Sequence, residues 1–134
     1  MILIERALIL RKTTLFEKAS LEKICFLSES LTERSLPDAG SVSRESSNEK
    51  KLYVVAQGAV RVVDAGKNFH LKEGGYWGEL SLFDDTEQLI EAKAEGSALV
   101  FEIDGDVARR ILIGDVGLAE NFIQNLVRRI RSVD

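Results

Sequence analysis

The chain has 134 residues, of which 45% are hydrophobic and 30% are charged. This length allows one compact domain, and the composition is that of a globular protein, neither disordered nor fibrous. The 18 Lys and Arg residues are outnumbered by 22 Asp and Glu residues, which gives a formal net charge of −4. Because a dedicated nucleic-acid binder carries the opposite sign, we expect no nucleic-acid partner.

The sequence also indicates where the protein resides. Cys25 is the one cysteine, so no internal disulfide forms, and the chain does not open with a secretory signal. Its most apolar stretch, residues 1–10, is much shorter than a membrane-spanning helix and is interrupted by Glu5 and Arg6. We therefore expect a cytoplasmic protein with no direct membrane insertion.

Residues 1–36 are predicted to be a helical N-terminal segment, because apolar residues recur there at spacings of three and four. The stripes consist of Leu3, Ala7 and Leu10 in a first helix and of Leu21, Ile24, Cys25, Ser28 and Leu31 in a second. Thr13 or Thr14 is a candidate cap after the break between the two helices, and Ser20 is another, although Lys23 stands where a capping box has an acidic residue. Pro37, followed by Asp38 and Gly40, ends the helical region.

Residues 37–104 carry short β-type runs separated by turns that contain glycine. The predicted strands are residues 52–57, 59–64, 68–72, 89–94 and 97–103. Several short strands at regular intervals, without helices between them, are typical of a sandwich or barrel that closes on itself. The same pattern argues against a parallel α/β architecture.

Helical periodicity returns after Asp104. Asp104 or Asp106 is a candidate cap for a first helix that ends at Gly114, and a last helix occupies residues 115–133. The apolar positions of the last helix share one face: Val116, Ala119, Phe122, Ile123, Leu126, Ile130 and Val133. Its final turns are rich in arginine, which the helix dipole favours there. Either the rest of the domain or a second copy of the chain covers this face, so residues 115–133 are a candidate homodimer interface.

The stretch that is most informative about function is residues 74–90. Two glycines turn the chain, Tyr76 and Trp77 follow, and residues 78–83 fit one helical turn between strands. The unpaired backbone N–H groups at the start of such a turn make an anion site. A glycine beside a short helix is more often only a loop device, and Trp77 either stacks on a base or plugs a barrel.

Three pieces of the sequence, taken together and in order, resemble the cyclic nucleotide-binding domain family. This family supplies the sensor modules of bacterial catabolite activators, cyclic-nucleotide-dependent kinases and gated channels. Residues 52–62 (LYVVAQGAVRV) resemble its strand–glycine–strand signature, and residues 75–82 (GYWGELSL) resemble its phosphate-binding cassette. The terminal helices also occur in the expected order.

The resemblance implies a fold that is mainly β with flanking helices. The β part is an eight-stranded jelly-roll β-barrel, or double-stranded β-helix, preceded by N-terminal helices and followed by a C-terminal helix pair. The expected layout is one domain over residues 1–134, with helices in 1–36, the β-roll in 37–104, a cassette helix near 78–83 and the final helices in 105–134.

The resemblance also implies a ligand pocket. In the family, the backbone amides of the cassette hold the cyclic phosphate, a glutamate holds the ribose hydroxyl, and an arginine nine or ten residues later neutralises the phosphate. Glu79 matches the glutamate, whereas Gln88 stands where the arginine is expected. The implied phosphate and ribose pocket is formed by Gly78, Glu79, Leu80, Ser81, Gln88 and Leu89.

Gln88 predicts that binding of cAMP or cGMP is weakened or lost. An arginine supplies a fixed fork of donors and a permanent charge, whereas glutamine offers one neutral amide. Losing one partner of a buried charge pair costs about 2 to 5 kcal/mol, which is roughly thirty- to several-thousand-fold in affinity. Four carboxylates add negative charge to the same segment: Asp84, Asp85, Glu87 and Glu91. Lys93 or Arg61 either reaches inward to compensate or lies on a solvated strand face.

The sequence offers little for catalysis. His70 is the one histidine, too few for the iron or zinc sites of similar barrels. Cys25 lies on the apolar stripe of a predicted helix, and the adjacent carboxylates Asp84 and Asp85 are of a kind that is usually solvated. We therefore expect no enzyme activity, no metal and no cofactor, with cAMP or cGMP as the candidate ligand.

Two functions remain open. The first is a regulatory domain in which an occupied pocket repositions the C-terminal helices. The second is a ligand-independent protein-interaction or dimerisation module that works through residues 115–133 or 1–10. Residues 2–16 resemble the linker helix that joins such domains to helical repeats or membrane transporters, which implies a fused or separate output domain. Transcription regulators of the family continue into a helix-turn-helix module, whereas this sequence ends at Asp134.

Overall fold

The computed structural model describes residues 1–42, 50–64, 66–84 and 90–131. The elements in chain order are α1 (Leu3–Lys12), α2 (Leu21–Ser30), β1 (Thr32–Leu36), β2 (Ser41–Val42), β3 (Lys51–Asp64), β4 (Lys67–Leu71), β5 (Tyr76–Trp77), a short 3₁₀ cassette helix (Leu80–Leu82), β6 (Ile90–Asp104), α3 (Gly105–Ile113) and α4 (Val116–Arg131). The helices within these described ranges are too short or too polar to span a membrane.

The strands form one antiparallel sheet in the order β1-β6-β3-β4, with β2 added to β6 and β5 added to β3. The predicted class, mainly β with flanking helices, is therefore confirmed. Pairing among the described strands does not join β4 to β1, so hydrogen bonds do not close the sheet into the expected barrel. The long β3–β6 ladder instead forms the spine of a jelly-roll-like sheet.

Gly58 lies within β3 and does not separate two strands as predicted. The pairing of β3 with β6 continues on both sides of it, with register shifts between Val55 and Ala59. Gly58 has φ +80°, and a Cβ there would lie 2.5 Å from the Ser97 carbonyl oxygen, so the irregularity requires glycine. The structure has one bent strand because such an irregularity bends a ladder without reversing the chain.

The irregularity at Gly58 also exchanges the two faces of β3. Before it, Leu52, Val54 and Ala56 pack into a cluster with the helices. After it, Val60 and Val62 pack into a second cluster on the other face, together with Trp77 and Val100. An inserted residue moves every following side chain to the opposite face, because side chains alternate along a strand. Even-numbered residues of β3 thereby pack into the first core before Gly58 and into the second core after it, where they join Val55.

The helical N-terminal segment is shorter than the predicted 1–36, because its last five residues form β1. This strand pairs antiparallel with β6. Leu36 is buried, and the Nη1 atom of Arg34 donates to Glu102 Oε2 at 3.1 Å. Strand formation here depends on a partner that is distant in the sequence, which local periodicity does not report.

Three predicted helix starts are confirmed by their caps. The Ser20 hydroxyl accepts a hydrogen bond from the Lys23 amide at 3.3 Å and begins α2. The Asp104 carboxylate accepts from the Asp106 amide at 2.8 Å and begins α3. Asp115 Oδ1 accepts from the Leu118 amide at 3.1 Å and begins α4. Each cap satisfies backbone donors that the first helical turn leaves unpaired.

Helix α4 folds back on the domain through a face that differs from the predicted one. Asn121 Nδ2 donates to the Thr14 carbonyl at 2.7 Å, and the rings of Phe122 and Phe83 are 5.2 Å apart. The buried residues of α4 are Leu118, Asn121, Phe122 and Asn125. Of the predicted apolar face, only Phe122 is buried among the described residues, and Ala119 and Leu126 are half-buried. Val116, Ile123 and Ile130 are exposed. Val133 lies outside the described residues. An apolar stripe of α4 therefore stays in contact with solvent.

Candidate ligand-binding site

The cassette is held against the first residue of β3. Gly78 follows β5 with φ +93°, and a Cβ at this position would lie 2.5 Å from the Lys51 carbonyl oxygen. Only glycine meets both demands, a positive φ and a close backbone approach. The backbone of Glu79 has helical dihedral angles, and the cassette helix begins at the next residue. The Ser81 hydroxyl donates to the Gly78 carbonyl at 2.7 Å, which ties the start of the cassette to its helix.

A cavity lies between the cassette and the sheet. It is a small, half-open hollow with a volume of about 30 Å³, far below the range of about 300 to 1,000 Å³ for small-molecule pockets, so an organic ligand fits only if the walls of the cavity move apart. Its walls come from β2, β3, β5, β6 and the cassette, through Val42, Lys51, Tyr53, Trp77, Gly78, Ser81 and Ile90. The wall exposes polar and apolar surface in equal measure.

Two aromatic rings form one side of this cavity. Tyr53 and Trp77 are opposite each other in the β3–β5 pairing, and their rings are stacked with centroids 4.8 Å apart and an interplanar angle of 14°. Trp77 is buried and belongs to the second core cluster. It therefore fills the sheet interior and lines the cavity at the same time.

The positive charge at the cavity wall already has an anionic partner. Lys51 Nζ donates to Glu102 Oε1, and Arg34 donates to the other oxygen of the same carboxylate at 3.1 Å. Burial acts to raise the pKa of Glu102, but the hydrogen bonds from Lys51 and Arg34 outweigh it and the pKa lies below its usual value. Glu102 stays ionised and offsets much of the Lys51 charge.

Glu79 is buried and pairs with a residue of the last helix. Its Oε1 atom forms an ion pair with Arg129 Nη1, whereas its Oε2 atom has no hydrogen-bond partner within the described residues. The guanidinium carbon of Arg129 also lies 5.1 Å from the ring centre of Phe69 and 5.5 Å from that of Tyr76. Glu79 and two rings therefore surround the guanidinium, and cation–π attraction adds to the ion pair.

Several solved structures are similar to this chain in overall fold. The sensor domain of the transcriptional regulator DNR from Pseudomonas aeruginosa has a TM-score of 0.77 at 22% identity, covering 92% of this chain and 91% of that one. The chain has the cyclic nucleotide-binding domain fold. No family model matches the sequence, and at this level of identity the likeness establishes the fold.

Two kinase regulatory subunits have the same cyclic nucleotide-binding domain fold. The cAMP-bound PfPKA-R has a TM-score of 0.74 at 16% identity, and the alignment covers 98% of this chain. The regulatory subunit of a cAMP-independent protein kinase A from Trypanosoma cruzi, bound to guanosine, has a TM-score of 0.72 at 19% identity over 84% of this chain. This chain spans 48% and 41% of their lengths, respectively.

Within this cyclic nucleotide-binding domain fold, the structure brings together some of the predicted pocket residues. Gly78 and Ser81 line the cavity. Glu79 is buried beside them and faces Arg129, and Leu80 is 40% exposed. Gln88 and Leu89 lie outside the described residues. The ligand-binding role of all these residues stays a prediction.

Neither of the two basic residues considered as substitutes for the missing arginine faces inward. Arg61 and Lys93 are opposite each other in the β3–β6 pairing, and both are exposed. This agrees with the interpretation of a solvated strand face. His70 is also exposed, with Nδ1 2.7 Å from Glu95 Oε1, and the described residues contain no cluster of metal ligands.

Three residues at the site were missed by sequence reasoning: Lys51, Tyr53 and Arg129. For the first two a signal existed, because alternation along β3 places them on the same face as Val55. For Arg129 the sequence provides only a general signal: a buried carboxylate such as Glu79 requires a cation nearby. Which arginine of the last helix supplies it depends on the rotation of α4.

Proposed function

We propose that this domain is a non-catalytic regulatory sensor that binds a nucleotide or nucleoside in the cavity beside the cassette. The observation that carries the proposal is the cavity itself, which lies between Gly78 and Ser81 of the cassette and the stacked rings of Tyr53 and Trp77. The cyclic nucleotide-binding domain fold supports it, because ligand-bound regulatory subunits have the same fold.

We propose further that cyclic nucleotides bind weakly. Gln88 supplies no charge for a phosphate, and the cavity-lining Lys51 is paired with Glu102. A nucleoside carries no phosphate, so it avoids this penalty. The kinase regulatory subunit from Trypanosoma cruzi bound to guanosine shows that the fold accommodates such a ligand in that protein.

The signal passes through the C-terminal helices. Helix α4 contacts the cassette through Arg129 and Phe122, so a ligand that prefers one position of α4 shifts the population of helix positions. The output element is a fused or separate domain, and the module acts in the cytoplasm. We propose no catalytic role, since the cavity wall presents aliphatic and aromatic side chains, the two hydroxyl-bearing residues Tyr53 and Ser81, and a paired lysine.

Trp77 offers a direct test, because it is the one tryptophan and it lines the cavity. Titration with guanosine should change its fluorescence in a saturable way, whereas cAMP and cGMP should bind more weakly or not detectably. Ser81→Val should weaken binding by removing a polar group at the cavity wall. Ser30→Val is a matched control, because Ser30 likewise donates to a carbonyl three residues earlier, the Leu27 carbonyl in α2. No response to any of the three compounds would contradict the proposal.

A second candidate function, dimerisation or protein interaction, is favoured by the exposed stripe of α4. Val116, Ile123 and Ile130 are 77%, 58% and 73% exposed and recur every seven residues. Half-buried Ala119 and Leu126 occupy the intermediate positions of the same heptad. β-branched residues at the first heptad position favour two-stranded coiled coils, so a second copy of the chain is the expected partner.

A further inference from the structure

Arg129 is the point at which the end of α4 meets the cassette. Its guanidinium pairs with Glu79 and lies against the rings of Phe69 in β4 and Tyr76 in β5. The adjacent Arg128 is exposed. The ion pair is therefore specific to one side of the helix and is not a general effect of the basic last turns.

The first half of α4 has separate anchors. Asn121 donates to the Thr14 carbonyl, Phe122 packs against Phe83, and Leu118 is buried. In the last turns, Ile130 and Arg131 are exposed. The end of the helix, residues 126–131, is anchored by Arg129 and by Leu126, which packs against the first core cluster, so it has fewer anchors than the beginning of the helix.

The Arg129 guanidinium occupies one of the two oxygens of the buried Glu79 carboxylate. One oxygen of Glu79 is paired with Arg129, and the other is buried without a partner among the described residues. A carboxylate accepts up to about four hydrogen bonds, so Glu79 is under-satisfied in this state. A ligand hydroxyl would satisfy it in place of the guanidinium.

We propose that Arg129 is an internal competitor of the ligand for Glu79: the end of α4 covers Glu79, which lies between the cavity-lining residues Gly78 and Ser81 in the chain but is not itself part of the cavity wall, and a ligand that donates hydroxyl groups to Glu79 displaces the guanidinium. This inference rests on the proposed function. Ligand binding and docking of the end of α4 oppose each other, and the coupling is reciprocal. The apparent dissociation constant equals the intrinsic one divided by the fraction of molecules in which Arg129 does not cover Glu79.

The first experiment compares guanosine binding to the wild type, Arg129→Gln and Arg128→Gln by Trp77 fluorescence. Guanosine is the probe because it has two adjacent hydroxyl groups and no phosphate. We expect Arg129→Gln to tighten binding about fivefold or more and the control Arg128→Gln to leave it unchanged. Equal or weaker binding by Arg129→Gln, with the wild type binding normally, would overturn the competition and leave the proposed function intact. If neither protein binds guanosine, cAMP or cGMP, the proposed function and the competition both fail.

The second experiment needs no variant. Hydrogen exchange of the wild type, measured with and without saturating guanosine, should show faster exchange of the amides in residues 126–131 when the ligand is present. Amides around Asn121 should stay protected, because that part of the helix has its own anchors. Slower exchange at 126–131 on binding would mean that the ligand holds the helix down, which contradicts displacement.

Discussion

The Nη1 atom of Arg129 and the Oε1 atom of Glu79 form an ion pair in which the glutamate side chain is only 3% exposed. This pair joins the last helix to the turn that follows β5. A buried carboxylate that loses its cation is strongly destabilised, because neither water nor another charge replaces it. The pair is therefore a structural contact that ties the last helix to the cassette.

The first prediction concerns the stability contributed by this pair. Arg129→Gln should lower the free energy of unfolding by about 1 to 3 kcal/mol, because a buried acceptor loses its charged donor. Arg128→Gln, an exposed change of the same kind, should stay within about 0.5 kcal/mol of the wild type. Urea denaturation measures both. A double-mutant cycle with Glu79→Gln should return a favourable coupling energy, and a coupling near zero would show that the two residues do not interact in solution.

The second prediction concerns Gly78. Gly96→Ala introduces a side chain at φ +73° into open space, so it should cost only the backbone strain of about 1 to 2 kcal/mol. Gly78→Ala has the same kind of strain at φ +93° and also places a Cβ 2.5 Å from the Lys51 carbonyl oxygen. It should cost an additional amount of about 1 to 3 kcal/mol. Equal unfolding midpoints for the two variants would show that the cassette does not approach β3 closely.

The third prediction concerns stability in acid. Hydrogen bonding to Arg6 holds the pKa of Glu33 below its usual value, although burial opposes this. A carboxyl group with a lowered pKa in the folded state stabilises the fold above its unfolded pKa of about 4.3, and the contribution is lost as the pH falls through the folded value. Glu33→Gln should therefore reduce stability at pH 7 and flatten its decline below about pH 4.3. Exposed Glu29, replaced in the same way, serves as the control. Parallel pH profiles for Glu33→Gln and the wild type would contradict the expectation.

The fourth prediction concerns the exposed stripe of α4. Sedimentation across a range of concentrations should show a dimer that Ile123→Glu abolishes, because the new charge would be buried in the coiled coil. Gln124→Glu adds the same charge at an exposed neighbouring position and should leave the dimer intact. A wild type that stays monomeric at high concentration would remove the dimerisation function.

Much of the fold could be predicted from the sequence because its signals are local. Ser20, Asp104 and Asp115 cap helices at the expected places, since a capping side chain acts on amides two or three residues away. The turn at Gly78 was likewise recognisable from the residues around it. Strand β1 was not, because residues 32–36 become a strand only through pairing with β6.

The least predictable features depend on how distant elements are oriented. The exchange of faces along β3 follows from the irregularity at Gly58. The sequence does not distinguish a glycine that forms a turn from one that forms a bulge. The pairing of Arg129 with Glu79 depends on the rotation of α4, which Asn121 helps to fix through the Thr14 carbonyl. Neither feature can be predicted from the local pattern of apolar residues.

The central claim, a ligand cavity beside the cassette with weakened cyclic nucleotide binding, is tested most directly by calorimetric titration of the wild type and Gln88→Arg with cAMP and cGMP. Gln57→Arg, at an exposed position of β3, controls for the added charge. We predict weak or undetectable binding by the wild type and by the control, and a gain of roughly thirty- to several-thousand-fold in Gln88→Arg. Micromolar binding by the wild type, or no gain in Gln88→Arg, would contradict the claim.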